Sequence, residues 1–419
     1  MFGFPSLRCF LPRCTMGVYF LACPLLAQEP LLENEQQTQA QSFAQCVVGL
    51  QQKALSAGIS TNTVETILGQ ARYLAKILEY DRNQPEFVQT FPGYFSARVN
   101  DWRINKGREM LAKHKDFLAK LTQEYGVPGH YLVAFWGLET NFGNYKGKMP
   151  IIDSLTTLAC DERRSKFFSA ELMQALRLLE RENLAVSDMV GSWAGAMGHT
   201  QFMPTAYLTY ARDGDGDGKM DLWNSELDAL ASAANFLKAL GWQAGFRWGR
   251  EVLIPNNFDY QLAGKSNVQA LSFWREKGIT EVGNIALNNS DLPAALVVPA
   301  GHTGPAFLIY HNFEVILRWN NSEYYGIAVG QLADQIAGKG PLSKHLPDLP
   351  QYTLLEMQQF QQKLNDLGFD VGKPDGILGP ATRQGVRAFQ ASKRLIADGY
   401  PSKETVESVM SETSTDTAL

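Results

Sequence analysis

Beyond its first 27 residues this chain has little cysteine, no long hydrophobic run and no excess of positive charge. Each absence excludes something. Of five cysteines, Cys9, Cys14 and Cys23 lie near the start, so only Cys46 and Cys160 remain later in the chain. That is too few for a disulfide-dense scaffold or a cysteine-rich zinc fold. The later segments do not resemble a transmembrane helix. With 38 Lys and Arg against 43 Asp and Glu, the net charge is −5, which gives no footing for nucleic acid or an anionic membrane as a partner. Tandem repeats and heptad arrays are also missing, which excludes solenoids and coiled coils. What remains is ordinary globular composition, 45% hydrophobic and 19% charged over 419 residues. That length suits one large domain plus a small one.

Residues 1–27 read as a signal peptide. Arg8 and Arg13 give a basic start, Thr15 to Ala27 is apolar, and Leu25-Leu26-Ala27 offers a cleavage site. The alternative is lipid attachment at Cys23, whose flanking Phe20 and Pro24 suit such a motif poorly. Export makes Cys46 and Cys160 a candidate disulfide, the alternative being two separate buried thiols. The expected location is the periplasm of a Gram-negative bacterium, with an outer-membrane lipid anchor as the lesser alternative.

Residues 28–42, rich in Gln and Glu, read as a flexible lead-in. From Phe43 to about Gly241 the apolar spacing is helical. One long helix is expected over Arg103–Tyr125, then others over Tyr131–Thr140, Phe167–Glu182 and Leu227–Leu240. Short runs then read as strands: Val252–Ile254, Ala295–Val298, Ala306–Tyr310 and Val315–Leu317. A helix over Ala328–Ala337 closes a unit spanning 43–338. Residues 339–352 form a Pro- and Gly-containing linker. A compact helical unit occupies 353–410, followed by a polar, disordered tail at 411–419. The fold class is therefore mainly α (α+β), with a small β-containing subdomain and a small three-helix C-terminal domain.

The segment from Tyr131 to Gly143 carries the most chemistry. Phe135 and Trp136 lie four and three residues before Glu139, so a helix sets them on its face. Apolar rings beside a carboxylate penalise its charged form and raise its pKa. An acid still protonated near neutral pH can protonate a leaving oxygen, as glycoside cleavage requires. The competing reading is a helix-end Glu facing solvent.

A second block, Gly191-Ser-Trp-Ala-Gly-Ala-Met-Gly-His-Thr-Gln-Phe-Met-Pro204, joins Gly137-Leu-Glu-Thr-Asn-Phe-Gly143 in resembling the membrane-bound lytic transglycosylase B family. Arg163-Arg164-Ser-Lys-Phe-Phe168, the Asp-Gly loop at 213–218 and Val315-Ile-Leu-Arg-Trp-Asn-Asn-Ser322 with Tyr324-Tyr325 extend the likeness over about residues 43–338. The resemblance implies a lysozyme-like fold acting on peptidoglycan glycan strands. It implies Glu139 as the catalytic acid and base, cleaving between MurNAc and GlcNAc and leaving a 1,6-anhydroMurNAc end. Ser192, Gln201, Phe202, Asn320 and Tyr325 take the family's cleft-lining positions. Where many relatives carry an aromatic hydroxyl this chain has Phe236. Asp153, Asp161 and Asp188 are nearby in sequence, but each reads as a cap or surface residue. No cofactor is needed for the chemistry.

Asp213-Gly-Asp215-Gly-Asp217-Gly218 matches the first half of an EF-hand loop, but position twelve is Asn224, not Glu. The competing reading is an acidic surface turn. The family's longer loop maps a later ligand to Asp228, with Lys219 offering its backbone carbonyl. A structural Ca²⁺ is the expected occupant. The stretch Gly372–Gln390 resembles the small peptidoglycan-binding domain of wall enzymes, with Phe389 read as core. Two alternatives stand beside the transglycosylase: a muramidase-type hydrolase and a non-catalytic wall-binding protein. The chain is expected to act as a monomer, with other cell-wall enzymes as candidate partners.

Overall fold

The computed structural model describes residues 29–82 and 89–413, and the side chains from residue 40 onward in that range. The signal peptide, Cys23 and residues 414–419 of the tail lie outside the described residues. Four hydrophobic cores organise the chain.

The first core gathers around helix Gly129–Thr140, in which every residue from Tyr131 to Gly137 is buried. A helix apolar on all sides belongs inside, packed by neighbours. Helices Asp101–Lys113, Glu226–Ala239 and Glu323–Ile336 pack against it. The second core holds helices Ile151–Ala159 and Ser165–Glu182, the most heavily packed pair in the protein. Trp319 packs against both cores and marks the seam between them.

The third core belongs to a six-stranded antiparallel sheet. Its order is Gln269–Ala270, Pro293–Val297, Ala306–Ile309, Gly249–Leu253, Thr280–Glu281, Ile285–Ala286. The central pairing runs Gly249 opposite Ile309 through Val252 opposite Ala306. In the fourth, helices Leu354–Asp366, Pro380–Ser392 and Lys403–Ser411 close around Phe360, Leu364, Val386 and Phe389. Thr353 and Glu356 form a reciprocal capping box at the first of these, and Pro380 opens the second.

Four sequence expectations are corrected. The lead-in at 28–42 is helical from Glu29, within helix Glu29–Ser56. Its Gln, Glu, Leu and Ala are all strong helix formers, and the helix continues into the packed turn at Val47 and Leu50. The long helix at Arg103–Tyr125 divides at His114 into Asp101–Lys113 and Lys115–Tyr125. There His114 Nε2 meets Glu226 Oε2 at 2.8 Å, tying the junction to another helix. Val315–Leu317 is not a strand but part of helix His311–Trp319, which buries Phe313, Val315, Ile316 and Leu317. A three-residue apolar run cannot reveal its period. Asp153 is not a surface residue: it is buried in a first helical turn and accepts Arg72 N at 3.0 Å and Arg72 Nε at 2.9 Å.

The linker at 339–352 is fastened along its length. Ser343 N and Lys344 N donate to Glu251 at 2.8 and 3.0 Å, and Leu342, Leu346 and Leu349 pack against the first core. The last unit meets the preceding one directly, where His302 N donates to Asp398 Oδ2 at 2.8 Å. Cys46 and Cys160 are joined by a disulfide with Cα atoms 5.8 Å apart, tying the first helix to the end of helix Ile151–Ala159.

Candidate active site

Glu139 sits one residue before the end of helix Gly129–Thr140. The chain leaves that helix through three successive left-handed residues: Asn141, Phe142 and Gly143, with φ of 51°, 59° and 82°. Asn tolerates this conformation, whereas for Phe it is strained. Arg103 holds the exit in place, donating from Nε to Gly137 O at 3.1 Å and from a terminal nitrogen to Asn141 Oδ1 at 2.5 Å.

The carboxyl lies at the seam of the two cores, half-buried. Tyr325 donates its hydroxyl to Glu139 Oε1 at 2.5 Å, and the Trp319 indole nearby also favours the charged carboxylate. Rings surround the group. Phe135 lies 4.5 Å from Trp319 and 6.2 Å from Tyr325, while Phe202 and Phe236 approach Trp319 at 5.4 and 5.2 Å. Burial among these rings raises the Glu139 pKa to about 7, and Tyr325 and Trp319 pull the other way without cancelling it. Phe135 thus takes the place expected of it. Trp136 turns instead toward His199 and Phe142, at ring distances of 5.5 and 5.7 Å.

Of the other expected residues, Tyr325 reaches the carboxyl and Phe202 joins its aromatic surround through Trp319. Ser192 Oγ accepts Ala196 N at 3.0 Å, closing a tight loop. Gln201, at φ 51°, donates to Lys146 O and Gly198 O at 3.2 and 3.0 Å. Asn320 is exposed directly after Trp319, and its carbonyl accepts Ser322 N at 2.8 Å. Phe236 stacks on Tyr210 at 4.7 Å. The small residues of this block let protein backbone approach protein backbone: a Cβ on Gly198 would lie 2.3 Å from Leu222 O. Sequence reading missed Trp319, Arg103 and His199. Trp319 and His199 stood inside recognised blocks, whereas Arg103 carried no signal.

At the Asp-Gly loop, the carboxylate oxygens of Asp213, Asp215 and Asp217 all lie within 4.8 Å of one another, and all three residues are exposed. Gly216 and Gly218, at φ 81° and 87°, make the bends. Lys219 N donates to Asp217 Oδ1 at 2.8 Å. Asp228 is buried and accepts Gly214 N at 2.8 Å and Asp221 N at 2.7 Å, bracing the loop from behind. Three convergent carboxylates on a tight loop fit a hard cation.

One carboxylic acid whose pKa burial raises, set among rings at the seam of two helical cores, is the arrangement of a lysozyme-like fold. The transglycosylase SLT domain model matches residues 42–334, and the chain belongs to that family. The peptidoglycan binding domain model matches residues 354–409. The chain is 31% identical over 295 residues to the membrane-bound lytic murein transglycosylase B of Escherichia coli K12, covering 67% of this chain and 79% of that protein. Among solved structures, it is similar to SltB3 from Pseudomonas aeruginosa bound to NAG-anhNAM-pentapeptide. There the TM-score is 0.84 with 41% identity, covering 88% of this chain and all of that one. It also resembles the Escherichia coli lytic transglycosylase Slt35 in complex with calcium, with TM-score 0.61 and 30% identity over 70% of this chain and 92% of that one.

Proposed function

We propose that Glu139 carries out both proton transfers of a lytic transglycosylase acting between MurNAc and GlcNAc of peptidoglycan. Protonated Glu139 gives its proton to the bridging oxygen as the C1–O bond breaks and positive charge develops at C1. The carboxylate left behind takes the proton of the MurNAc C6 hydroxyl, whose oxygen attacks C1 and closes the 1,6-anhydro ring. The nucleophile belongs to the substrate, so no second carboxylate is required, whereas a two-carboxylate hydrolase needs one. The observation that carries this reading is Glu139 held near pKa 7 by its rings, with Tyr325 and Trp319 as its partners. Ser192, Gln201, Phe202 and Asn320 are assigned to sugar binding. Incubation with purified sacculi tests the reading: soluble muropeptides should appear, and retention on the sacculi without release would reduce the protein to a wall binder.

The pH dependence follows from the sign of the shift. The acid is active when protonated, so kcat/KM should fall as pH rises through about 7. Tyr325→Phe removes a donor that favours the charged form, which raises the Glu139 pKa further. In that variant the alkaline limb should move to higher pH while kcat drops. A limb that stays in place would separate Tyr325 from the ionisation.

The loop carboxylates Asp213, Asp215 and Asp217, with the Lys219 carbonyl, are assigned to a structural Ca²⁺, in keeping with the calcium complex of Slt35. Asp228 orders the loop behind them. An ion bound only by the folded state at about 100 times its Kd stabilises by roughly 2.7 kcal/mol. Ca²⁺ should therefore raise the melting temperature, and Asp213→Asn with Asp215→Asn should remove that increment. The disulfide and the leader support export to the periplasm, an oxidising compartment. Among the described residues no helix is long and apolar enough to cross a membrane.

A further inference from the structure

His199 holds the helix that carries Glu139 at two points. Its Nδ1 accepts the Trp136 indole N–H at 3.0 Å, and its backbone carbonyl accepts the Thr140 hydroxyl at 2.7 Å. Trp136 lies three residues before Glu139 and Thr140 one after it. The Thr140 oxygen also accepts Gly143 N at 3.0 Å, joining the same clasp to the left-handed exit. The ring fills the space beside that exit, since a Cβ on Gly143 would come within 2.3 Å of His199 Cε1. His199 itself is 6% exposed, and its own N–H donates to Leu222 O at 2.8 Å. Its position is thus fixed from a separate part of the chain.

The bond from Trp136 sets the chemistry of the imidazole. An indole N–H only donates, so Nδ1 must carry no hydrogen and the ring must be neutral with its proton on Nε2. The surroundings favour that state. Burial is the largest influence and Lys146 adds repulsion; Glu226 and Asp221 act in the opposite sense, and Lys113 adds a smaller repulsion. Together they hold the His199 pKa down to about 4. On the other side of Trp136 lies His114, at 6.0 Å between rings, itself bonded to Glu226.

We propose that His199 is a positioning residue for the reaction, a clasp that fixes Trp136 and Thr140 and so aims the Glu139 carboxyl at Tyr325 and the substrate. The proposal rests on Glu139 being the acid and base. His199 touches none of the reacting atoms, and its contribution passes through the helix. Because Nδ1 must stay bare, protonation opens the clasp and gives the enzyme an acid limb of its own, distinct from the alkaline limb set by Glu139.

The test uses the full-length protein and two variants. His199→Phe fills the space but removes the acceptor. His199→Asn can set a carbonyl oxygen near the place of Nδ1 and does not titrate. His199→Phe should lower kcat by about 10–100-fold on a soluble muropeptide while leaving KM within about threefold, the scale expected of a small misplacement. His199→Asn should recover most of kcat and lose the acid limb. Wild-type kcat in His199→Phe, or an acid limb retained in His199→Asn, would overturn the proposal. Should His199→Phe fail to fold, the Trp136 indole N–H resonance decides. In the wild-type protein, assigned by its absence in Trp136→Phe, it should shift with a midpoint near pH 4, and a resonance unmoved from pH 7 to 3.5 would refute the clasp. The same titration in Glu139→Gln separates the two readings. A midpoint preserved there while turnover also survives would refute the role of Glu139 and leave the clasp standing.

Discussion

Glu139→Gln should lose at least about 10³-fold in kcat on sacculi, with binding to the wall unchanged. A positioned acid or base contributes roughly 10²–10⁴ to a rate. Here one side chain fills both roles in succession, so the amide fails at the first transfer and cannot rescue the second. Gln keeps the size of the side chain and an oxygen able to accept from Tyr325, so the helix and its rings need not move. A second readout comes from stability. The folded-state pKa of Glu139 is raised, so between about 4.5 and 7 the folded protein holds a proton that the unfolded chain releases. Stability therefore falls as pH rises through that window, and above it the native state carries an unfavourable charge. The shift corresponds to at most about 3–4 kcal/mol, and water reaching a half-buried carboxyl brings this toward about 1–2 kcal/mol. Gln has no such charge. The variant should melt above the wild type at pH 8 and approach it at pH 4.5. Equal melting at both pH values would mean that burial does not govern this carboxyl.

The second large effect concerns the disulfide. Cys46 and Cys160 are 114 residues apart in sequence, so the bond closes a long loop in the unfolded chain. In the chain-entropy account a loop of that size is worth about 4–5 kcal/mol, and measured values more often fall near 2–4 kcal/mol. The bond joins helix Glu29–Ser56 to the end of a helix in the second core, with Leu50, Leu155 and Leu158 buried in that core. Cys46→Ser with Cys160→Ser should lower the melting temperature by several degrees, and reductant should lower the wild type equally. A variant that melts with the wild type, and a wild type indifferent to reductant, would show that packing alone holds the first helix.

Much of the candidate site could be read from the chain because its signal is local. The apolar run ending in Glu139 is one helix, and Phe135, which packs on Trp319, is one turn away. The remainder comes from distant segments. Tyr325 and Trp319 lie 180 residues or more beyond Glu139, and only family likeness drew Tyr325 in. Arg103 and His199 act on backbone and on a neighbouring indole, which no spacing rule reveals. Asp228 is buried and accepts Gly214 N and Asp221 N, contacts that loop spacing alone does not reveal. The strand expected at Val315–Leu317 failed because three apolar residues fit a buried helix as well as a sheet.

The most direct measurement is digestion of purified sacculi in water enriched in ¹⁸O, with the released muropeptides weighed by mass spectrometry. If the sugar's own C6 hydroxyl attacks, the products end in anhydro sugars, one water lighter than reducing ends, and carry no label. Reducing ends bearing one ¹⁸O would show that water is the nucleophile and would contradict the assignment of both proton transfers to Glu139 alone.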